Sequence, residues 1–252
     1  MLRYSTYGDP GAPHVLIAHG LFGSGRNWGV IAKRLSDRAY VIAVDMRNHA
    51  DSLQSESHSY PDMAADLAEI IRHTGAPAHV IGHSMGGKAA MILALTHPDL
   101  VQKLIVADIA PIAYSHSQMR YITAMRLVDL SRVNRRSDAE AQLADQGVEP
   151  ALCSFFTQSL DVPGKRWKMN LDALADNMTQ IMGFPEPASR FEGSTLFLSG
   201  AASDYVTPQH RPIIKAMFPA ARFAKIPGAG HWLHAEKPRE FEAAVRAFLT
   251  LD

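Results

Sequence analysis

Short apolar runs alternate with segments of helical periodicity towards both ends of the chain. Six of these runs have the length expected of strands, at positions 15–18, 40–44, 79–81, 104–107, 195–198 and 222–226. Strands of a parallel sheet are covered on both faces, so in a sequence they form nearly continuous apolar runs. The pattern therefore predicts an α/β fold in which helices cover both faces of a mostly parallel sheet.

Three segments between and after these runs have helical periodicity. The first, 61–74, carries one apolar face and has Pro61 in its first turn, where proline is tolerated. The second, 86–96, is apolar nearly all round and ends before Pro98. The third begins at about Pro238 and has one apolar stripe. We expect the first and third helices to lie with one face on the core, and the second to be buried between the sheet and a covering layer.

The α/β alternation stops between positions 112 and 191. Apolar residues in this stretch have helical or irregular spacing, and turn-forming residues divide it: Pro163, Gly164, Gly183, Pro185 and Pro187. Because the stretch lies between two predicted sheet strands, we expect it to be a helical cap inserted over the strand ends. The core domain would then consist of residues 1–111 and 192–252, and the cap of residues 112–191.

The composition is that of a soluble globular protein, with 47% hydrophobic and 20% charged residues among 252. This length suits one large α/β domain with an insertion. Lys and Arg together number 25, as do Asp and Glu, so the sequence lacks the basic balance expected of a nucleic-acid-binding protein. We therefore expect a small-molecule partner. A monomer and a homodimer are both compatible with the sequence.

The chain carries few signals for a cellular compartment. Cys153 is the only cysteine, which excludes an intrachain disulfide and fits a reducing environment. No apolar run reaches the length that spans a bilayer, and the first residues lack the pattern of a secretory signal. The sequence therefore predicts a cytoplasmic protein that does not associate with membranes.

The stretch Gly82-His83-Ser84-Met85-Gly86 lies where a predicted strand gives way to a predicted helix. Gly-x-Ser-x-Gly at such a junction is typical of a nucleophile elbow, in which a serine is exposed on a sharp, strained turn. The flanking glycines remove collisions that side chains would make with the strand and the helix. The same pentapeptide also occurs by chance as a glycine-rich turn. The motif therefore indicates a nucleophile only if the sequence also supplies a base and an acid for Ser84.

His231 is the predicted base, because a serine hydroxyl is a poor nucleophile until a neighbouring group accepts its proton. It lies in the loop Pro227-Gly228-Ala229-Gly230-His231-Trp232, directly after the last predicted strand. His234 follows three residues later, and such a pair can also bind a metal, but the sequence has no second ligand cluster. We therefore predict no metal and no organic cofactor.

Two carboxylates compete to be the acid that orients His231. Asp108 ends the run at 104–107, and Asp204 lies in the loop after the run at 195–198. Both satisfy the chain order Ser, Asp, His, and both lie at carboxyl ends of strands, where ligands bind in open α/β sheets. Either aspartate could instead cap backbone N–H groups in a turn. The residues alone leave both open.

Backbone N–H groups are predicted to bind the oxyanion. One is that of Met85, directly after Ser84, where the helix N-terminus points its free N–H groups. The second lies in the loop His19-Gly20-Leu21-Phe22-Gly23, and we favour Leu21 over Phe22. The rings of Phe22 and Trp232 are expected to line the acyl pocket.

Asp45-Met46-Arg47-Asn48-His49 follows the run at 40–44 and contains several groups that are common in catalytic sites. We favour a structural interpretation of this motif. Asp45 and Arg47 are expected to pair and so hold their loop in place, because a charge-assisted hydrogen bond suits that purpose.

In four motifs the chain resembles the α/β-hydrolase superfamily. These are His19-Gly20-Leu21-Phe22-Gly23-Ser24, Asp45-Met46-Arg47-Asn48-His49, Gly82-His83-Ser84-Met85-Gly86-Gly87-Lys88 and Gly228-Ala229-Gly230-His231-Trp232. The chain is most similar to small bacterial acyl-ester esterases with a Gly-His-Ser-Met-Gly-Gly-Lys elbow. The resemblance implies that Asp108 is the acid and that Ser203 supports the histidine. Ala50 departs from the family, which usually has glycine there.

The predicted function is that of a serine carboxylic-ester hydrolase acting on short- to medium-chain acyl esters through an acyl-enzyme. An acyl-CoA thioesterase would use the same triad and differ only in the leaving group. A non-catalytic receptor for a small ligand is the alternative from another class, since a fold does not imply a function. Dehalogenases and epoxide hydrolases of this fold need an aspartate in place of Ser84, which argues against both.

Overall fold

A computed structural model describes residues 1–186 and 189–251 of the chain. Its strands are β1 (Tyr4–Tyr7), β2 (His14–Ala18), β3 (Tyr40–Val44), β4 (Ala78–His83), β5 (Val101–Ala107), β6 (Leu160–Asp161), β7 (Arg166–Trp167), β8 (Thr195–Gly200) and β9 (Ala221–Ile226). In these described residues a seven-stranded sheet has the order β1-β3-β2-β4-β5-β8-β9. Only β1 is antiparallel to its neighbour in this sheet. The predicted mostly parallel sheet is confirmed.

Helices follow most strands of the sheet and also fill the stretch between β5 and β8. The α-helices are α1 (Gly29–Leu35), α2 (Tyr60–Thr74), α3 (Met85–Thr96), α4 (Met119–Arg126), α5 (Arg136–Asp145), α6 (Pro150–Thr157), α7 (Leu171–Asp176), α8 (Met178–Met182), α9 (Arg211–Met217), α10 (Leu233–Glu236) and α11 (Pro238–Leu249). Short 3₁₀ helices occupy Gly25–Trp28, Pro98–Leu100, Leu130–Arg132 and Pro208–His210. Helix α2 has Ser59 as N-cap and ends at Gly75, whose φ of 86° suits a glycine.

The two faces of the sheet are buried in separate apolar clusters. In β2, Leu16 and Ala18 pack with α2 and α3 on one face, whereas Val15 and Ile17 pack with α1 and α11 on the other. This alternation follows from the period of two along a strand. Because both faces are covered, the strands are apolar on both sides, and the prediction of helices on both faces is confirmed.

Strands β1, β6 and β7 were not predicted from the sequence. Strand β1 is an edge strand whose residues are all exposed or half-buried, so it lacks a continuous apolar run. The stretch 112–191, which was expected to be helical or irregular, contains helices α4 to α8 and also the two-stranded antiparallel pair β6–β7. Pro187, one of its predicted turn residues, lies outside the described residues. The division of the chain into core and cap stays a prediction.

The described helices also bear on membrane association. None of them is both long enough and apolar enough to pass through a lipid bilayer.

Candidate active site

The carboxyl ends of four neighbouring strands carry the candidate residues. Ser84 follows β4 and Asp108 follows β5, while Ser203 and His231 lie in the loops after β8 and β9. Parallel strands place their carboxyl ends at one edge of a sheet, which is where ligands bind in open α/β folds. A cavity of about 280 Å³ opens at this edge. Ser84 and His231 line it, together with Leu21, Phe22, Met85 and Trp232.

Ser84 occupies the single residue between β4 and α3, with φ of 52° and ψ of −118°. Such a backbone conformation is strained in a non-glycine residue and persists only when its surroundings fix it. A Cβ on Gly82 would lie 2.4 Å from the carbonyl oxygen of Gly86, and a Cβ on Gly86 would lie 2.4 Å from that of Ala18. Both positions therefore require glycine, and the strand and the helix can meet closely around the serine.

Asp108 holds His231 from behind the cavity. Its carboxylate is completely buried, and Oδ2 lies 2.8 Å from His231 Nδ1. The same oxygen accepts a hydrogen bond from Ser203 Oγ, and Oδ1 accepts one from the N–H of Gly200 at 3.1 Å. Because Nδ1 donates to the carboxylate, the lone pair of the neutral imidazole is on Nε2. A base with this tautomer can accept the proton of a serine.

Asp204 is exposed and does not occupy this position. It lies one residue after Ser203, whose hydroxyl contacts Asp108. Of the two aspartates that the sequence left open, the structure therefore brings Asp108, and not Asp204, to His231.

Aromatic rings and a backbone contact fix the position of His231. Its ring stacks on that of Tyr205, with centroids 4.1 Å apart and planes at 22°. Its carbonyl oxygen accepts a hydrogen bond of 2.9 Å from Nε2 of His83, the residue before Ser84. Among the hydrogen bonds of the described residues, none joins Ser84 Oγ to His231 Nε2. Such contacts are often long in enzymes without substrate and shorten when it binds.

The loop after β2 passes directly beside Ser84. A Cβ on Gly20 would lie 3.2 Å from Ser84 Cβ. The N–H of Phe22 donates to His49 Nε2 at 3.1 Å, so this N–H has an acceptor already. The hydrogen bonds of the described residues give no acceptor to the N–H groups of Leu21 and Met85. Those two groups are available to a ligand.

Two buried histidines fix this loop by accepting backbone hydrogen bonds. His49 donates through Nδ1 to the carbonyl of Arg47, which leaves Nε2 to accept from Phe22. His19 donates through Nδ1 to the carbonyl of Gly20 and accepts from the N–H of Met46 at 2.9 Å. Burial lowers the pKa of His19 to about 4 and that of His49 to about 3. Both rings are therefore neutral near pH 7, as these contacts require.

Sequence reasoning did not identify the role of His49, because its contact with Phe22 spans 27 residues. It also missed Tyr205, which follows Ser203 and has no motif of its own. No sequence signal pointed to either contact. These loops come together only when the strands of the sheet pair.

The predicted pair of Asp45 and Arg47 is wrong. The Arg47 guanidinium instead binds Asp66 on α2, with Nε 2.6 Å from Oδ2 and Nη2 3.0 Å from Oδ1. Asp45 accepts a hydrogen bond of 2.7 Å from the N–H of Gly25. Arg47 forms a bidentate contact with the carboxylate on the neighbouring helix, and Asp45 does not offer it such a contact.

His234 does not form a metal site with His231. Its ring stacks on Trp28 with centroids 4.0 Å apart, and burial lowers its pKa to about 3. In the part of the chain that the structure describes, no group of three or more His, Cys, Asp or Glu side chains is arranged to hold a metal ion.

Comparison with known proteins identifies the family. The profile of the alpha/beta hydrolase fold matches residues 13–238, which is most of the chain. The chain belongs to the α/β-hydrolase family. The fold that the sequence predicted is therefore confirmed by topology and by family.

Relatives within this family are similar to the chain over nearly its whole length. The sn-1-specific diacylglycerol lipase ABHD11 of Mus musculus is 40% identical over 253 residues, covering 96% of this chain and 82% of that protein. Esterase YbfF of Escherichia coli (strain K12) is 38% identical, covering 93% and 92% respectively. A solved marine microorganism esterase superposes with a TM-score of 0.92 at 38% identity and covers 98% of each chain. The prediction of an ester-hydrolysing enzyme is confirmed at this level.

Proposed function

We propose that the protein is a serine carboxylic-ester hydrolase that acts on short- to medium-chain acyl esters through an acyl-enzyme on Ser84. The observation that carries the proposal is the buried contact of Asp108 with His231 Nδ1, beside a cavity that Ser84 and His231 both line. This contact leaves Nε2 as the basic nitrogen. It supplies what a serine hydroxyl lacks at neutral pH.

His231 serves as base and acid in turn. It accepts the proton of Ser84 as Oγ bonds to the ester carbonyl carbon, and returns that proton to the leaving alcohol as the carbon–oxygen bond breaks. It then takes a proton from the water that attacks the acyl-enzyme and returns it to Ser84 as the acid departs. Asp108 keeps the imidazole in the required tautomer and stabilises its cation.

Ser203 and Gly200 support the acid. Both donate hydrogen bonds to the Asp108 carboxylate and so hold it in place beside His231. Ser203 is therefore a positioning residue in this proposal, because it contacts the acid rather than the substrate.

The N–H groups of Met85 and Leu21 bind the oxyanion. Met85 directly follows the strained residue Ser84, and Leu21 lies in the loop after β2. Neither N–H has an acceptor among the described hydrogen bonds. The N–H of Phe22, by contrast, is already bound by His49. Fixed donors of this kind stabilise the charge that develops in the transition state, and one such donor is worth about 10² to 10³ in kcat.

Residues 112–191 form the cap, which supplies much of the acyl pocket. Tyr121, Leu152, Phe155 and Phe156 from this stretch line the cavity together with Phe22 and Trp232. A volume of about 280 Å³ is near the lower end of the range of about 300 to 1,000 Å³ for small-molecule sites. This small volume favours short or medium acyl groups over long ones.

Assays on matched substrates test the proposal. Esters with graded acyl chains and acyl-CoA thioesters with the same acyl groups are compared at equal concentration. We expect the highest kcat/KM on a short or medium oxygen ester, and a fluorophosphonate should label Ser84 and abolish that activity. A higher kcat/KM on the thioesters would make the protein a thioesterase. Absence of both labelling and hydrolysis would instead favour a non-catalytic receptor for a small ligand.

A further inference from the structure

Lys88 lies in the wall of the proposed acyl pocket. It lies on α3 one turn after Ser84, and its backbone N–H donates to the Ser84 carbonyl at 3.0 Å. Only 1% of the residue is exposed, yet it lines the cavity that Ser84 lines. Residues four apart on a helix are neighbours on its surface. Lys88 and the proposed nucleophile are therefore neighbours at the start of α3 and line the same cavity.

The contacts of the Lys88 ammonium with the described residues are all with neutral groups. Nζ donates to the carbonyl oxygens of Met182 at 3.0 Å and Gly183 at 2.6 Å, at the end of α8. The rings of Tyr114 and Tyr60 lie 4.9 and 5.6 Å from it. Among the described residues, no carboxylate oxygen lies within 4.0 Å of Nζ. Two of its three N–H groups have carbonyl acceptors, which leaves one.

A buried ammonium without a counter-charge is unusual, because lysine is rarely fully buried unless it is paired. Burial lowers the pKa of Lys88 to about 7. The carbonyl dipoles at the end of α8 stabilise the cation only in part. An anion that entered the cavity would supply the missing charge and would favour the protonated form.

We propose that Lys88 binds a carboxylate at the far end of the acyl group, so that the preferred substrates are monoesters of dicarboxylic acids. This inference rests on the proposed function, because it assigns the acyl end of the same ester to Lys88. The free N–H of Nζ donates to the distal carboxylate while Ser84 attacks the ester carbonyl. Hydrolysis then releases the alcohol and the dicarboxylate.

Lys103 makes a similar contact in a structural setting. Lys103 also donates to the last carbonyls of a helix, those of Phe248 at 3.0 Å and Leu249 at 3.2 Å at the end of α11. It does so at the surface, away from the cavity. Lys103 is therefore a matched control, with the same kind of contact but no access to substrate.

The test compares two ester series. Methyl monoesters of dicarboxylic acids with about four to seven carbons are paired with methyl esters of monocarboxylic acids of equal length, and the ratio of their kcat/KM values is measured. We expect the ratio to exceed one and to peak at one length. In Lys88→Met the ratio should fall about tenfold to hundredfold, the worth of a hydrogen bond to a charged group. Lys103→Met should leave the ratio unchanged.

Lys88→Gln serves as the second variant, since it keeps a donor for the Met182 carbonyl but removes the charge. We expect the same direction of change in the ratio. If the ratio in wild type is one or less at every length, or if both variants keep it, the inference is overturned. Loss of hydrolysis of both series in wild type would instead overturn the proposed function.

A pH series on the wild-type protein needs no variant. The ratio should fall as the pH rises from about 6 to 8, because the Lys88 ammonium loses its proton while the substrate carboxylate stays ionised. Tyr60 and Tyr114 face the ammonium, and burial raises the pKa of both phenols, so they remain neutral. The pKa of the nearby His116 is lowered by burial and by the His231 and Lys88 charges. Effects of pH on the reaction steps that both ester series share cancel in the ratio. A ratio that is constant with pH would contradict the inference.

Discussion

The carboxyl edge of the sheet and the stretch 112–191 contribute to the same cavity in different ways. At the sheet edge, Asp108 is fully buried, and both of its carboxylate oxygens have donors. From 112–191, the cavity receives mainly apolar and aromatic side chains, with Leu152, Phe155 and Ile181 among them. A hydrogen bond fixes the orientation of the groups that form it, whereas an apolar contact depends on the size of the side chain and the area that it buries.

This difference separates reaction from selection. A change at the sheet edge should lower kcat for every substrate, because it displaces a group that acts on the reacting atoms. A change in 112–191 should alter the preference between substrates, because it changes the shape of the wall. The following predictions test this separation, from the largest expected effect to the smallest.

The largest effect among them is expected for Asp108→Asn. The amide no longer fixes the His231 tautomer, and by analogy with serine proteases kcat should fall about 10³- to 10⁴-fold. Asparagine tolerates the φ of 51° at this position, so the backbone is preserved. Asp204→Asn, on the exposed neighbouring loop, is the control and should change kcat by less than about twofold. The reverse ranking in steady-state kinetics would transfer the acid to Asp204.

A smaller effect is expected for His49→Leu, which removes the acceptor of the Phe22 N–H. The loop that carries Leu21 is then free to move, and kcat should fall about tenfold to hundredfold, within the value of one oxyanion donor. His49→Gln places an oxygen acceptor close to the lost nitrogen and should restore most of the rate.

His79→Leu is the matched control for this loop. His79 is also buried but lies on β4, and its Nδ1 has no hydrogen-bond partner among the described residues. Its replacement should leave kcat near that of wild type. Equal losses in the His49 and His79 variants would show that general destabilisation, and not loop position, explains the effect.

In the stretch 112–191, Phe155→Ala tests the other half of the comparison. Phe155 lines the cavity and lies 6.3 Å from the ring of Trp232. Removing its ring enlarges the pocket, so the kcat/KM ratio of longer to shorter acyl esters should rise about threefold to tenfold. An equal loss of kcat/KM for all acyl lengths would show that Phe155 affects the reaction itself, as the residues of the sheet edge are expected to do.

The smallest effect is expected at Ala50, whose φ of 49° is left-handed. Glycine adopts this conformation without the steric cost that an L-residue has there. Ala50→Gly should therefore raise the free energy of unfolding by about 1 kcal/mol, as measured by urea denaturation, with no change in kcat. A decrease in stability would show that the alanine methyl group makes contacts worth more than the strain.

The sheet was predictable because its central strands are buried on both faces, and such strands leave continuous apolar runs. β1 was not, since an edge strand with exposed residues carries no such run. The pair β6–β7 has two residues in each strand, which is too short for periodicity to appear. Where a strand is half exposed or very short, the sequence pattern contains too little information to place it.

The candidate site divides in a similar way. Ser84, Asp108 and His231 each follow a strand directly or lie in a glycine-containing turn, so local patterns indicate them. The residues alone did not separate Asp108 from Asp204, because both follow strands. In the structure the N–H of Asp108 still bonds to Leu198 in the sheet, whereas Asp204 lies four residues past β8. This is a tertiary distinction.

The contacts of His49 and Lys88 were not predictable for the same reason. His49 accepts from a loop 27 residues away, and Lys88 donates to carbonyls 94 and 95 residues away. Neither distance leaves a mark on the local sequence. The burial of Lys88 follows from α3 being covered by α2 and by the end of α8.

The rate of ester hydrolysis by Ser84→Ala tests the central claim most directly. Alanine removes the nucleophile and leaves the rest of the cavity in place. The account predicts that kcat falls on the order of 10⁴-fold or more, to the level that the oxyanion donors and binding alone sustain. A purified Ser84→Ala protein that hydrolyses the best ester at a rate near that of wild type would contradict it.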